Sequence, residues 1–234
     1  MTWPNLLLLH GAIGASAQFA PLVPLLGESY TLHQLDFEGH GSAPLRSRPF
    51  RIEHFVENIR DYLQEHSIES THIFGYSMGG YVACSLANSH PDLVLSIATL
   101  GTKFYWDAGT ATREVALLDP EKIAAKVPRF AEALAERHIA SGWETVLTRT
   151  QDLLWSLAEG GGIRPKDVEH LQQRVRIMMG DRDSTVTYTE SNEIYRALPQ
   201  GELEILPGTP HQLERVSPVR LAYSLREFFA LRDQ

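Results

Sequence analysis

Cysteine is almost missing from this sequence. One residue in 234, Cys84, excludes a disulfide within the chain, and so a small fold held by cross-links. Its apolar helical setting points to a core thiol in a reducing compartment. Long apolar stretches are absent too. No segment approaches bilayer-spanning length. The run Leu6 to Leu9 is too short for a signal peptide and has no basic leader. The expected location is therefore cytoplasmic. There is no block of five or more like charges, and the net charge of −8 supplies no basic face for nucleic acid. No His/Cys/Asp/Glu cluster has metal-ligand spacing, and the glycines of His10 to Gly14 fit neither a dinucleotide fingerprint nor a P-loop. Neither a metal nor another cofactor is expected.

What remains is a chain long enough for one large core. Leu6 to Leu9 reads as a strand buried on both faces and ends in the small-residue turn His10 to Gly14. Phe19 to Leu26 reads as a helix with prolines near its start, and Tyr30 to Leu35 as a second strand. Ile52, Phe55, Val56, Ile59, Tyr62 and Leu63 share one face of an amphipathic helix. A short strand to Phe74, a helix from Ser77 and a strand from Leu93 to Leu100 follow. Strands alternating with helices predict an α/β fold, a mostly parallel, doubly wound sheet. From Lys103 to His170 the patterns are helical only. Ile123, Val127, Phe130 and Leu134 share a face; Trp143, Val146, Leu147, Leu154 and Leu157 suggest another helix; Gly160 to Gly162 reads as a flexible break. The alternation then resumes with strands at Val175 to Met179 and Leu203 to Leu206, and helices near Glu190 to Leu198 and Pro218 to Leu231. The expected division is a core of 1–102 and 171–234 with a helical insertion at 103–170.

Gly75-Tyr76-Ser77-Met78-Gly79 stands between the strand to Phe74 and the helix that follows. G-x-S-x-G alone arises by chance in roughly one chain in fifteen of this size; the strand-to-helix setting gives it meaning. A sharp turn there holds a serine in a strained conformation at the top of a sheet, and the helix start aims free N–H groups at the same point.

A serine nucleophile needs a base, and the base an orienting acid. Loops after parallel strands converge on one sheet edge. His211 follows the last strand, and Met179-Gly180-Asp181-Arg182-Asp183 follows the strand before it, so both belong to the edge that carries Ser77. Two aspartates compete for the acid at this point. His10 and His40, in glycine turns, read as structural. Glu214 reads as helix-start chemistry.

These motifs resemble the α/β-hydrolase family, in its small form with a helical cap, over nearly the whole chain. His10-Gly11 resembles the family's oxyanion turn. Asp36 to Ser42 resembles its D-x-x-G-H-G-x-S loop with the serine one residue early. Gly75 to Gly80 resembles the nucleophile elbow. Gly180 to Asp183 resembles the G-x-x-D acid turn, which favours Asp183 over Asp181. His211 resembles the terminal histidine, with Pro210 where a glycine commonly stands. The hairpin that usually opens the family's sheet is not expected here. The resemblance implies an oxyanion hole from the N–H groups of Ala12 and Met78, and a cap over residues 103–170.

The implied activity is that of a serine hydrolase acting through an acyl-enzyme on Ser77, with a small-molecule carboxylic ester or thioester as substrate. The scaffold also hosts C–C bond hydrolases, lyases, cofactor-free perhydrolases and non-catalytic receptors. Phe104, Trp106, Trp143 and Trp155 are the candidate pocket residues of the cap. No arginine cluster is placed to hold a carboxylate or phosphate, which favours a neutral, partly apolar substrate. The cap is expected to contribute binding and access rather than bond-making.

Overall fold

The computed structural model describes residues 3–230. Its strands are β1 (Asn5–Leu9), β2 (Thr31–Leu35), β3 (Thr71–Tyr76), β4 (Val94–Leu100), β5 (Arg174–Gly180) and β6 (Gly201–Leu206). All neighbouring pairs are parallel, in the order β2-β1-β3-β4-β5-β6. The helices are α1 (Val23–Leu26), α2 (Ile52–Glu65), α3 (Met78–Ser89), α4 (Ala108–Ala116), α5 (Pro120–Lys126), α6 (Pro128–Arg137), α7 (Trp143–Gly160), α8 (Tyr188–Ala197) and α9 (Pro218–Ala230).

The apolar run of β1 follows from its place inside the sheet. Leu7 and Leu9 point into a core with α2, α3 and α8, whereas Leu6 and Leu8 point into a second core with α1 and α9. All four are fully buried. Both faces of the sheet are thus covered, as a doubly wound arrangement requires. The chain leaves β1 for β2 on one side and then crosses to β3 on the other. That reversal opens a crevice at the C-terminal ends of β1 and β3, where ligands bind in open α/β sheets.

Two local expectations change. The helix expected over Phe19 to Leu26 is a 3-10 turn (Ser16–Phe19) followed by the short α1. Pro21 and Pro24 cause this, because proline cannot donate to a preceding helical turn. Ile123 and Leu134 lie on different helices, since Pro128 breaks the stretch and opens α6 at its first position. Leu231, the expected end of the last helix, lies outside the described residues. Among the described residues, no helix is long and apolar enough to cross a membrane.

Helices α4 to α7 form the insertion between β4 and β5. Ile123, Leu134 and Leu147 make a small cluster of its own, and Phe104, Val146, Leu153 and Leu154 join the main core. The two ends of the insertion are tied together. Tyr105 bridges Gly162, and Ile163 N–H donates to the Phe104 carbonyl at 2.9 Å. Buried Glu190 accepts the amides of Phe104 and Tyr105 at 2.5 and 2.6 Å. At Gly162 the glycine run makes a close crossing: a Cβ there would lie 2.0 Å from the Phe104 carbonyl oxygen, whereas one on Gly160 would meet open space.

Candidate active site

Ser77 is the single residue between β3 and α3, with φ 51° and ψ −115°. A positive φ at a non-glycine residue is a strained state that its surroundings must impose. Here Ser77 N–H donates to the Leu100 carbonyl at 2.8 Å, and Ser77 O accepts from Thr102 Oγ1 at 3.0 Å. The flanking glycines permit the crossing. A Cβ on Gly75 would fall 2.4 Å from the Gly80 backbone, and one on Gly79 would fall 2.2 Å from the Leu9 carbonyl oxygen. Alanine does not fit at either place.

His211 and Asp183 meet across two loops. His211 Nδ1 lies 2.8 Å from Asp183 Oδ2. The Asp183 side chain is 1% exposed, and that of His211 16%. Asp183 Oδ1 also accepts the amides of Thr185 and Val186, at 2.8 and 2.9 Å. Burial by itself would raise the Asp183 carboxyl, but the hydrogen bond and charge of His211 and the two amides outweigh it and hold the group below its ordinary value. Asp181 is exposed, and its Oδ1 accepts Thr209 N–H at 3.1 Å. With Arg182 N–H donating to the Thr209 carbonyl at 3.1 Å, it fastens the acid turn to the histidine loop. Tyr76, inside the pentapeptide, donates its hydroxyl to the His211 carbonyl at 3.0 Å.

Ser77, His211, Ala12 and Met78 all border one cavity of about 260 Å³. Met78 opens α3, so its N–H has no acceptor within the helix. Ala12 lies in the turn after β1, and a Cβ on its neighbour Gly11 would be 3.2 Å from Ser77 Cβ. The two turns are in contact. Asp36 fastens the first of them to the glycine loop after β2: its carboxylate accepts Ser16 N–H at 2.7 Å, Ser42 N–H at 2.9 Å and Ser42 Oγ–H at 3.1 Å.

Of the four candidate pocket aromatics, the cavity wall includes Trp106 alone. Phe104 is fully buried in the main core, drawn there by the Glu190 and Gly162 contacts. Trp143 packs against the insertion's own cluster. Trp155 is 40% exposed, because Leu153, Leu154 and Leu157 take the cavity face of α7. Gln18, Lys103 and Arg137, which no spacing in the sequence marks, also border the cavity, as does Glu214. Glu214 lies in a 3-10 turn (Leu213–Arg215), accepts Gln18 Nε2 at 2.6 Å and stands 3.5 Å from Arg137. Lys103 stands 3.4 Å from Glu190. Both cations thus have a carboxylate partner. Among the described residues, no group of three or more His, Cys, Asp or Glu could hold a metal ion.

Three buried histidines, His10, His40 and His138, stand beside the turn after β1, with ring centroids 5.1 Å (His10–His40) and 5.7 Å (His40–His138) apart. His10 accepts Phe37 N–H on Nε2 at 3.1 Å, so its proton is on Nδ1, facing the Gly11 carbonyl at 2.8 Å. Burial pulls His10 down to about 4, and burial together with the neighbouring rings pulls His40 well below its ordinary value. Burial lowers His138 as well, so the folded state favours the uncharged form of these rings, whereas unfolding frees them to protonate below about pH 6.5. The linkage therefore favours folding above that pH and is lost as pH falls towards 4, on the order of 1 kcal/mol per pH unit for each imidazole that stays neutral. Urea midpoints should be level from pH 7 to 8 and fall clearly by pH 5. A midpoint constant down to pH 5 would mean that these rings titrate freely in the folded protein.

The family of the alpha/beta hydrolase fold matches residues 4–151. A pimeloyl-[acyl-carrier protein] methyl ester esterase of Aeromonas hydrophila is 33% identical over 99 residues, covering 42% of this chain and 38% of that protein. The match to this relative thus spans well under half of its length. The sn-1-specific diacylglycerol lipase ABHD11 of Mus musculus is 24% identical, over 98% of this chain and 82% of its own. Among solved structures, MGS-M2, an alpha/beta hydrolase enzyme from a Medee basin deep-sea metagenome library, superposes with a TM-score of 0.84 at 15% identity, covering 100% of this chain and 92% of its own. With more than half of the chain matched by the family and the fold shared throughout, the protein belongs to the α/β-hydrolase family.

Proposed function

We propose that this protein hydrolyses a small carboxylic ester or thioester through an acyl-enzyme on Ser77. The observation that carries this reading is a strained serine bordering the same cavity as a histidine that is hydrogen-bonded to a buried carboxylate. In this mechanism Ser77 Oγ attacks the carbonyl and His211 takes its proton. Asp183 holds the imidazole tautomer and stabilises its charged form. The N–H groups of Ala12 and Met78 receive the developing oxyanion. The alcohol or thiol leaves with the proton from His211, and a water molecule, activated by the same ring, releases the acid. The ester and lipid chemistry in the relatives' names points the same way.

The insertion acts as a cap in this reading. The wall it contributes is mostly apolar, with Trp106, Leu117, Leu153 and Leu157 among its residues, and the pairing of Lys103 and Arg137 with carboxylates favours a neutral substrate. A panel of p-nitrophenyl esters, thioesters and C–C substrates tests the proposal. Turnover of esters or thioesters, abolished by one equivalent of a fluorophosphonate on Ser77, is the expected result. Turnover of C–C substrates alone, or none beyond one equivalent, would replace the reading by another hydrolase chemistry or a receptor. Across the ester series, Trp106→Ala should shift chain-length selectivity in kcat/KM by about tenfold to a hundredfold, the range of an apolar pocket contact. Trp143→Ala should lower stability and leave the selectivity profile unchanged.

A further inference from the structure

Helix α6 ends on two side chains that reach the turn after β1. Arg137 Nη1 donates to the Ile13 carbonyl at 3.0 Å, and His138 Nε2 lies at the same distance from that oxygen. His138 Nδ1 accepts Gly41 N–H at 3.0 Å, so the ring proton is on Nε2 and is given to Ile13. His138 is fully buried but does not border the cavity.

The carbonyl it holds belongs to a residue in an unfavourable state. Gly14 N–H donates to the Gly11 carbonyl at 3.0 Å, which makes Gly11 to Gly14 a tight turn with Ala12 and Ile13 at its centre. Ile13 has φ 53°. Turns with positive φ at this position favour glycine or asparagine, and a β-branched residue there is strained. Released, Ile13 would relax to negative φ and reshape the turn that carries the Ala12 amide. Two donors on one carbonyl oppose that relaxation. Arg137 Nη2 also stands 3.5 Å from Glu214, in the loop just past His211, so the same helix end touches both sides of the site.

We infer that His138, assisted by Arg137, is a positioning residue that holds the oxyanion turn in its strained form from outside the cavity. The insertion thereby helps to build the catalytic machinery as well as to cover it. This inference rests on the reading of Ala12 as an oxyanion donor and Ser77 as the nucleophile.

The test separates the two bonds of His138. In His138→Gln the side-chain amide nitrogen can stand where Nε2 stood and donate to Ile13. In His138→Asn the side-chain oxygen can stand where Nδ1 stood and accept from Gly41, which leaves Ile13 without this donor. For His138→Asn, kcat and the rate of fluorophosphonate labelling should fall about tenfold to a hundredfold, a part of what loss of an oxyanion donor costs. KM should stay within about threefold, because the ring does not meet substrate. His138→Gln should recover most of the loss in kcat. A folded His138→Asn protein with wild-type kcat, or a His138→Gln protein as impaired as His138→Asn, would overturn the inference. If His138→Asn does not fold, Arg137→Met, at a side chain in contact with solvent, reads the second bond to the same carbonyl: kcat should fall several-fold, and an unchanged value overturns the inference. Wild-type protein that no phosphonate labels would remove the Ser77 reading and this one with it. Normal wild-type labelling beside an unaffected His138→Asn would remove this one alone.

Discussion

Ser77→Ala should fold as the wild type does and lose nearly all turnover, on the order of a million-fold in kcat, as removal of a nucleophile does in comparable triads. The fold should survive because the contacts that shape the turn are made by its backbone. Ser77 N–H to Leu100 and Ser77 O to Thr102 do not involve the hydroxyl. Alanine carries the same Cβ into the same positive φ, so strain is nearly unchanged. What disappears is the oxygen that attacks the carbonyl. The measurements are kcat on the best ester of the panel, circular dichroism to verify the fold, and mass spectrometry after phosphonate treatment. Labelling should fall on Ser77 in the wild type and on no residue in the variant. A folded variant that keeps robust turnover would exclude the serine mechanism, whatever the geometry around it.

The second large effect separates the two aspartates of the acid turn. Asp183→Asn should cost about four orders of magnitude in kcat, the size of effect expected when the imidazole is held in the wrong tautomer. The direction follows from the hydrogen bonds. Oδ1 of Asp183 accepts two amides, from Thr185 and Val186, and only an oxygen can do that. In the amide variant the oxygen must therefore stay there, and the NH2 group must face His211. Nδ1 of the ring then has to accept, its proton moves to Nε2, and the nitrogen meant to act as base no longer can. Asp181→Asn keeps an oxygen to accept Thr209 N–H, so its cost should stay within about tenfold, in line with an exposed structural hydrogen bond. Steady-state kinetics on the two variants decide the matter. A larger loss for Asp181→Asn would move the acid by two residues.

The parts of this protein that could be read from the chain are those set by contacts close along it. A run such as Leu6 to Leu9 can be buried on both faces only inside a sheet. The face of α2 is defined by residues three and four apart. Gly75 and Gly79 flank Ser77 because a strand and a helix meet within a few residues. The chain order of Ser77, Asp183 and His211 could be assigned to one edge because loops after parallel strands share it. The breaks at Pro21 and Pro128 had local signals too, but the apolar pattern around them spoke for continuous helices.

The insertion was legible as helical and little further. Phe104 and Trp106 are two residues apart and both are buried in the main core, yet only Trp106 also reaches the cavity wall. The Glu190 hydrogen bonds and the Gly162 crossing decide which, and both arrive from distant segments. His138 stands four residues past the buried Leu134, which was a usable sign of burial. Its partners, Ile13 and Gly41, lie 125 and 97 residues away in sequence. Periodicity reports which face of an element is buried, but not what covers that face. The sequence by itself therefore determined the fold class and the placement of the candidate nucleophile, acid turn and base on one sheet edge. Only the tertiary structure decided the cavity wall, the burial of the three histidines together and the contact of the end of α6 with the turn after β1, because each depends on side chains brought together by the crossing of elements rather than by their spacing along the chain.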